Sequence, residues 1–373
     1  MSDTGLQLRT RVNAEGTLTL WLEDQPVPRP GPEEVVLRVG AAPINPSDLF
    51  LLFGPADPAS ARVEGTPERP EVTLTLPEGT LPLVQARVGQ ALAAGNEGAG
   101  TVIAAGDSAQ AQALLGRTVG VFGGEMFSQY RCVNALQCLP LEAGTTAEQG
   151  ASCFVNPMTA LGMRETLMME GHSALVHTAA ASNLGQMLNR LCQADDIPLV
   201  NIVRRQEQVA LLRSQSAAHV LDSSSDSFMS DLVSAIEATG ATLAFDAVGG
   251  GKLASQILTA MESVAAQQMS EYNRYGSNTY KQVYIYGALD LAPTTLTRNF
   301  GFAWGVGGWL LPQFLQRAGP ERTESMRARV AREINTTFAS QYSHRISLAE
   351  MLDPAVMQAY NRRTTGDKYL VLP

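Results

Sequence analysis

The chain has few of the residues that build metal centres or disulfide frameworks: four cysteines and four histidines in 373 residues. Cys132, Cys138, Cys153 and Cys192 form no CxxC pair and no cluster with histidine, so neither a disulfide framework nor a structural zinc site is expected. His172, His177, His219 and His344 stand apart and offer no metal-ligand spacing. Charged residues make up only 17%, and the acids outnumber the bases to give a net charge of −9. That balance argues against nucleic acid as a partner, because phosphate binding needs a basic surface. No apolar run approaches the roughly 20 residues of a membrane helix. Residues 1–11 lack the apolar centre of a signal peptide, which makes the cytoplasm the expected location. There is no internal repeat and no low-complexity tract.

What the chain does have is a globular composition, 45% hydrophobic, and a length beyond what one core usually fills, so two domains are expected. Up to about residue 150, short apolar runs punctuated by Gly and Pro read as β structure, at 34–39, 100–105, 117–122 and 127–133. A Pro- and Glu-rich stretch between Gly54 and Gly89 contains 72–76, which alternates, and 81–88, and reads as an insertion carrying a hairpin, a candidate lid or else a solvated excursion with no role. From about Ala151, strands and helices alternate. Strands are predicted at 173–178, 199–203, 219–221, 242–247 and 282–287. Helices are predicted at 184–192, from Gln206, at 227–238 and at 252–261. Such alternation predicts a doubly wound parallel sheet. Residues 264–281, with Tyr272, Tyr275 and Tyr280, read as a second insertion. A helix at 321–338 and a closing strand at 368–372 follow.

The segment from Leu175 to Gly185, LVHTAAASNLG, runs a buried strand into a turn of small residues and an amphipathic helix. Dinucleotide sites need that order: small residues admit the pyrophosphate, and a helix N-terminus offers free N–H groups. Ala179, Ser182 and Gly185 occupy the positions of the usual three glycines. The same residues also suit an ordinary strand–helix turn with Ser182 or Asn183 as N-cap. The next strand ends in Val203-Arg204-Arg205. Arginine there suits the 2′-phosphate of NADPH through a bidentate grip, whereas an NAD site wants an acid; Glu207 nearby keeps NAD open. His177, at a strand end before the turn, reads as a packed strand histidine in preference to a cofactor contact, and Cys153 as a small buried hydrophobe rather than a nucleophile. Trp304 and Trp309 read as lining either the cleft or, in preference, a subunit contact.

Three further stretches, APINPSD from Ala42 to Asp48, NEGAG from Asn96 to Gly100 and DAVGG from Asp246 to Gly250, complete a pattern. With the phosphate turn, it resembles the zinc-free medium-chain dehydrogenase/reductases, the quinone oxidoreductase and enoyl-thioester reductase branch. VNPMT from Val155 and NIVRR from Asn201 look most like the mitochondrial-type enoyl-thioester reductases. The resemblance implies a GroES-like irregular β-barrel catalytic domain over 1–150, with 312–373 returning to it, and a Rossmann NADP-binding domain over 151–311. It also implies a homodimer joined through 301–311. Ser182, Asn183 and Leu184 would then hold the pyrophosphate, and Arg204 and Arg205 the 2′-phosphate. Val248 and Gly249 would lie by the adenosine, Asn45 and Thr159 near the nicotinamide, and Tyr286, Gly287 and Ala288 along the cofactor.

Two departures from the family sharpen the reading. Zinc-dependent relatives have Cys where this chain has Asn45 and His where it has Asn96, so no catalytic zinc is expected. Enoyl-thioester reductases carry a catalytic Tyr shortly after the NPSD segment, where this chain has Ala56. The expectation is therefore hydride transfer from NADPH to a quinone or an α,β-unsaturated carbonyl compound. Asn45 is the candidate donor to the substrate oxygen, and the proton comes from solvent. The alternatives are enoyl-thioester reduction and NADPH binding without catalysis.

Overall fold

The computed structural model describes residues 4–373, which divide into two compact units. Residues 4–155 and 327–373 form one unit, and 156–326 the other. The sequence reading placed the changes at 150/151 and 311/312. The second falls later in the structure because the Leu311–Ala318 helix belongs to the core of the second unit: Phe314 stacks on Trp309, and Trp309 packs on Gly162.

The first unit is built on two sheets. One is antiparallel and orders its strands Arg62–Thr66, Arg69–Thr75, Thr17–Pro26, Thr4–Val12 and Leu92–Ala93. The other has seven strands. Its path is Cys138–Pro140, Thr118–Phe122, Glu97–Ala105, Glu34–Pro43, Tyr369–Val371 and His344–Ile346, and Tyr130–Asn134 also pairs with Glu34–Pro43. This is the GroES-like arrangement, closed by the returning C-terminal strand. The Thr4–Val12/Thr17–Pro26 hairpin was not anticipated, although TLTLWL alternates as a strand should.

The first insertion carries a hairpin, but its strands are Arg62–Thr66 and Arg69–Thr75, so only the 72–76 segment of the reading is a strand. Its second strand hydrogen-bonds to Thr17–Pro26, and Val72 and Leu74 are fully buried. It is therefore part of the core rather than a lid. Residues 81–88 supply a 3-10 helix, Leu81–Arg87, because Pro82 removes a ladder donor and the stretch closes over the barrel through buried Val84.

The second unit is a six-stranded, wholly parallel sheet. Its strands are β1 (Leu175–Thr178), β2 (Leu199–Val203), β3 (His219–Asp222), β4 (Leu243–Asp246), β5 (Lys281–Ile285) and β6 (Trp304–Gly308). They stand in the order 3-2-1-4-5-6, the doubly wound Rossmann order. Strand alternation separates two faces. Val176, Val200, Ala244 and Val283 meet the helices Phe228–Thr239 and Leu253–Gln267 through Leu232, Ile236, Ile257 and Leu258. His177, Asn201, Phe245 and Tyr284 share the opposite face, where Asn189 of the Asn183–Ala194 helix meets Asn201.

Trp309 belongs to this second face, which corrects its assignment to a subunit contact. Only 8% of it is exposed; its Nε1 donates to Thr166 Oγ1, and its ring packs on Phe245 and Phe314. An indole buried with its N–H satisfied is a core residue. Trp304 is half-buried, lies edge-on to Phe300 and donates to the Gly301 carbonyl. The second insertion is shorter than read, because the helix continues through Gln267. What remains is closed by Glu262, which takes Ser277 N, Ser277 Oγ and the fully buried Lys281 ammonium.

Candidate functional site

The carboxyl edge of the parallel sheet gathers most of the predicted cofactor residues. After β1, Ala179 adopts φ +51°, a left-handed conformation normally left to glycine, so the turn keeps the fingerprint's backbone without its residue. Ser182 then caps the Asn183–Ala194 helix, its Oγ accepting from Gly185 N at 3.1 Å. Thus the cap reading of Ser182 is realised, and it presents the helix N-terminus at the turn. Gly185 is the one glycine of the three retained, and the reason is steric. A Cβ there would run into the Ala180 backbone carbonyl. Ser182 and Asn183 are half-buried, while Leu184 is buried beneath them.

Arg204 and Arg205 follow β2 directly and are exposed. Among the described residues, no hydrogen bond or ion pair engages either guanidinium. Glu207 lies in the first turn of the Gln206–Ser214 helix and is also exposed.

The turn after β4 is held by buried polar groups. Thr178 Oγ1 donates to Asp246 Oδ1 at 2.7 Å and accepts from Ala247 N at 2.8 Å. Asp246 also accepts from Val248 N and Gly249 N. A fully buried carboxylate thereby collects three donors, which offsets its desolvation. Gly249 sits at φ +78°, and a Cβ on it would lie 2.7 Å from the Gly287 oxygen. A Cβ on Gly287 would lie 2.5 Å from the Ala247 oxygen. The turns after β4 and β5 therefore abut backbone to backbone. Tyr286 and Gly287 are half-buried and Ala288 is exposed. Tyr286 Oη lies 2.7 Å from Nε2 of His177, a buried strand histidine as expected. Burial drives His177 down to about 3, so it stays neutral. The role of Asp246 and the His177–Tyr286 contact were missed in the sequence. DAVGG contained the acid, but no local pattern pairs residues 109 positions apart.

Thr159 is buried in the second turn of the Val155–Glu170 helix. Asn45 belongs to the first unit, where it precedes the Pro46–Leu52 helix and is 2% exposed. Its Nδ2 donates to Glu97 Oε1 at 2.7 Å, and Glu97 Oε2 accepts from Phe154 N and Val155 N. Asp48 accepts from Asn45 N and Asn96 N. Asn96 Nδ2 donates to Ser47 Oγ at 2.9 Å.

Sequence reasoning passed over Lys368. The register of the closing strand, Leu370 with Pro43 and Val371 with Ala42, sets Lys368 opposite Asn45. Its ammonium lies over the Tyr342 ring at 5.7 Å. Burial lowers its pKa to about 8, against the opposing pull of Glu97 and Asp48. Burial likewise raises Glu97, and raises Asp48 to about 7. Cys153 is buried with its thiol pushed far up by desolvation, an inert hydrophobe as read.

No family model matches the chain. It is 25% identical over 229 residues to the synaptic vesicle membrane protein VAT-1 homologs of Homo sapiens and Rattus norvegicus, covering 61% of this chain. The match takes in 51% and 49% of those proteins, so the chain spans about half the length of the curated relatives it matches. Among solved structures, a candidate NADPH:quinone reductase from Mesorhizobium loti superposes with TM-score 0.72 at 26% identity, over 100% of this chain and 99% of that one. A second, from Bacillus thuringiensis, gives 0.74 at 18% over the whole of both chains. An enoyl thioester reductase from Candida tropicalis gives 0.68 at 18%, over 99% and 100%. The 3-2-1-4-5-6 sheet, the GroES-like unit closed by the C-terminal strand, and a full-length match on that fold make the chain a member of the medium-chain dehydrogenase/reductase superfamily.

Proposed function

We propose that this protein is an NADPH-dependent reductase that passes hydride to a small electrophile, a quinone or an α,β-unsaturated carbonyl compound, without zinc. The observation that carries the cofactor reading is the exposed Arg204–Arg205 pair directly after β2, two guanidinium groups with no partner among the described residues. The similar solved structures support it, being candidate NADPH:quinone reductases and an NADPH complex. The residues fit the cofactor in a second respect. Gly185, Gly249 and Gly287 have protein backbone where a Cβ would go, so the turns that the reading assigns to the cofactor pack on one another with no side chain between them.

NADPH, when bound, supplies the hydride. The protein's part is to bind, orient and polarise. Ser182, Asn183 and Leu184 hold the pyrophosphate at the helix N-terminus, and Arg204 and Arg205 grip the 2′-phosphate. Val248 and Gly249 lie by the adenosine, Gly287 and Ala288 along the cofactor, and Thr159 near its reactive end. Asn45 is the side-chain donor toward the substrate oxygen, oriented by its bond to Glu97. Asn45 and Asn96 stand where zinc-dependent relatives carry Cys and His, and both amides serve internal hydrogen bonds, which supports a zinc-independent reaction. A cytoplasmic homodimer paired along the β6 edge completes the reading.

Enoyl-thioester reduction is the second reading, favoured by the similarity to the Candida tropicalis enzyme and opposed by Ala56. Oxidation of NADPH, against NADH, with quinones, small enones and crotonyl thioesters decides between them. Quinone or enone turnover with NADPH preferred is expected. Thioester turnover alone transfers the assignment to the second reading. Tight NADPH binding with no turnover would instead make the chain a binding protein.

A further inference from the structure

Sheet order fixes the direction in which a dinucleotide lies. With its pyrophosphate at the turn after β1, the arginines after β2 mark the adenosine side. With Val248 and Gly249 by the adenosine, the opposite end must then extend past the turn after β4 toward β5. Adjacent strands are about 4.8 Å apart, so β5 lies roughly 10 Å from β1, the reach of the second half of a dinucleotide. Tyr286 is the first residue after β5. It is half-buried at that edge, unlike Tyr272, Tyr275 and Tyr280, which are exposed.

Its ring is held unusually firmly for a residue beyond a strand end. The Tyr286 and His177 rings lie 16° from parallel with centroids 5.8 Å apart, joined by the 2.7 Å Oη–Nε2 bond. His177 is fully buried two residues ahead of Ala179, so the tie runs to the strand that launches the phosphate turn. Neither member titrates near neutrality: burial keeps the imidazole neutral and pushes the Tyr286 phenol up. The following residue, Gly287, abuts Ala247, which removes the remaining backbone freedom. His177 Nδ1 has no hydrogen-bond partner among the described residues, so the whole polar contact of this buried imidazole is made to Tyr286. A buried histidine with one neutral bond, directed to one tyrosine, adds little to stability by that bond. What it does is fix a flat aromatic surface.

We propose that the Tyr286 ring is the support against which the planar nicotinamide head of the cofactor lies, with His177 as the positioning residue that holds the ring in place. The proposal rests on the NADPH reading above and extends it to the reactive end. A rigid ring loses no rotamer freedom on contact, so stacking on it contributes with little ordering cost. It also keeps water from one face of the head.

The test separates the two halves of the cofactor. Calorimetric titration with NADPH is compared with adenosine 2′,5′-bisphosphate, which carries the 2′-phosphate but no nicotinamide. Tyr286→Ala should weaken NADPH roughly tenfold, the usual scale of one aromatic stacking contact. Binding of the bisphosphate should stay within about twofold on the same scale. Tyr286→Phe keeps the ring and removes its tie, and should weaken NADPH by about two- to threefold. His177→Asn should behave like Tyr286→Phe, again leaving the bisphosphate unchanged, a split that mere structural damage would not produce. If Tyr286→Ala leaves NADPH affinity unaltered, or weakens both ligands equally, the proposal is overturned while the NADPH reading stands. If the unaltered protein binds neither ligand, the cofactor reading falls and takes this one with it.

Discussion

Two regions of this molecule reach rigidity by opposite means. The carboxyl edge of the parallel sheet is shaped by missing side chains. Gly185, Gly249 and Gly287 have backbone where a Cβ would go, and Ala179 accepts a left-handed conformation to complete the turn. The Asn45 region of the first unit is shaped by buried charge: Glu97 and Asp48 accept five hydrogen bonds from Asn45 Nδ2, Phe154 N, Val155 N, Asn45 N and Asn96 N, with Lys368 alongside. The first region should therefore be sensitive to added volume and indifferent to pH. The second should tolerate little loss of charge and respond to pH.

Removing Glu97 should give the largest effect. Glu97→Ala strands three buried donors and should cost about 3 kcal/mol or more, read as a lowered midpoint in urea unfolding. Glu97→Gln keeps one acceptor and should recover part of it. If Glu97→Ala were neutral, the buried-charge account of the first unit would be wrong. Next comes volume at the other region. Gly185→Ala should cost about 1–3 kcal/mol and impair NADPH binding, because the obstructing Ala180 carbonyl is backbone and cannot swing aside.

The Arg204→Ala/Arg205→Ala variant should leave thermal stability within about 0.5 kcal/mol, since both side chains are exposed and pair with none of the described residues. It should raise the Kd for NADPH on the order of 100-fold and leave NADH unchanged, given about 1.5–3 kcal/mol for each charged hydrogen bond lost. An equal loss for both nucleotides would place the arginines elsewhere.

The smallest effect is the pH dependence, and its sign follows from the shifts. Asp48 has its folded pKa raised from 3.8 to about 7, so the unfolded chain ionises first, and stability falls as pH rises through that window. Lys368 is lowered from 10.5 to about 8, so its penalty is relieved only as pH rises from about 8 toward 10.5. Thermal melts should therefore show a midpoint several degrees lower at pH 7.5 than at pH 5. Asp48→Asn should reduce that difference, leaving the part due to Glu97, which burial also raises, and Gly185→Ala should not change it.

Local order explains how much of this was legible. The Rossmann half was readable because each βα unit is short and its signals are contiguous. LVHTAAASNLG contains strand, turn, cap and the obligatory glycine within eleven residues, and NIVRR ends the next strand on the two arginines. The barrel half was read through motifs, while its first hairpin was overlooked and the 81–88 stretch turned out helical. Trp309 was misplaced because composition enriches aromatics both in contacts and in cores, and only packing distinguishes them.

The sequence by itself determined the βα alternation, the strand–turn–helix at LVHTAAASNLG, the Arg204–Arg205 pair at the end of the next strand and the want of clustered Cys and His. Each depends on residue identity or on neighbours within a few positions, where hydrogen bonding and steric preference act directly. Only the tertiary structure decided that Asn45 is oriented by Glu97 across 52 positions, that Lys368 returns to stand opposite Asn45, and that His177 holds Tyr286. Those contacts join residues brought together by sheet order and chain return, and no periodicity in a linear chain encodes which distant strand will lie beside which.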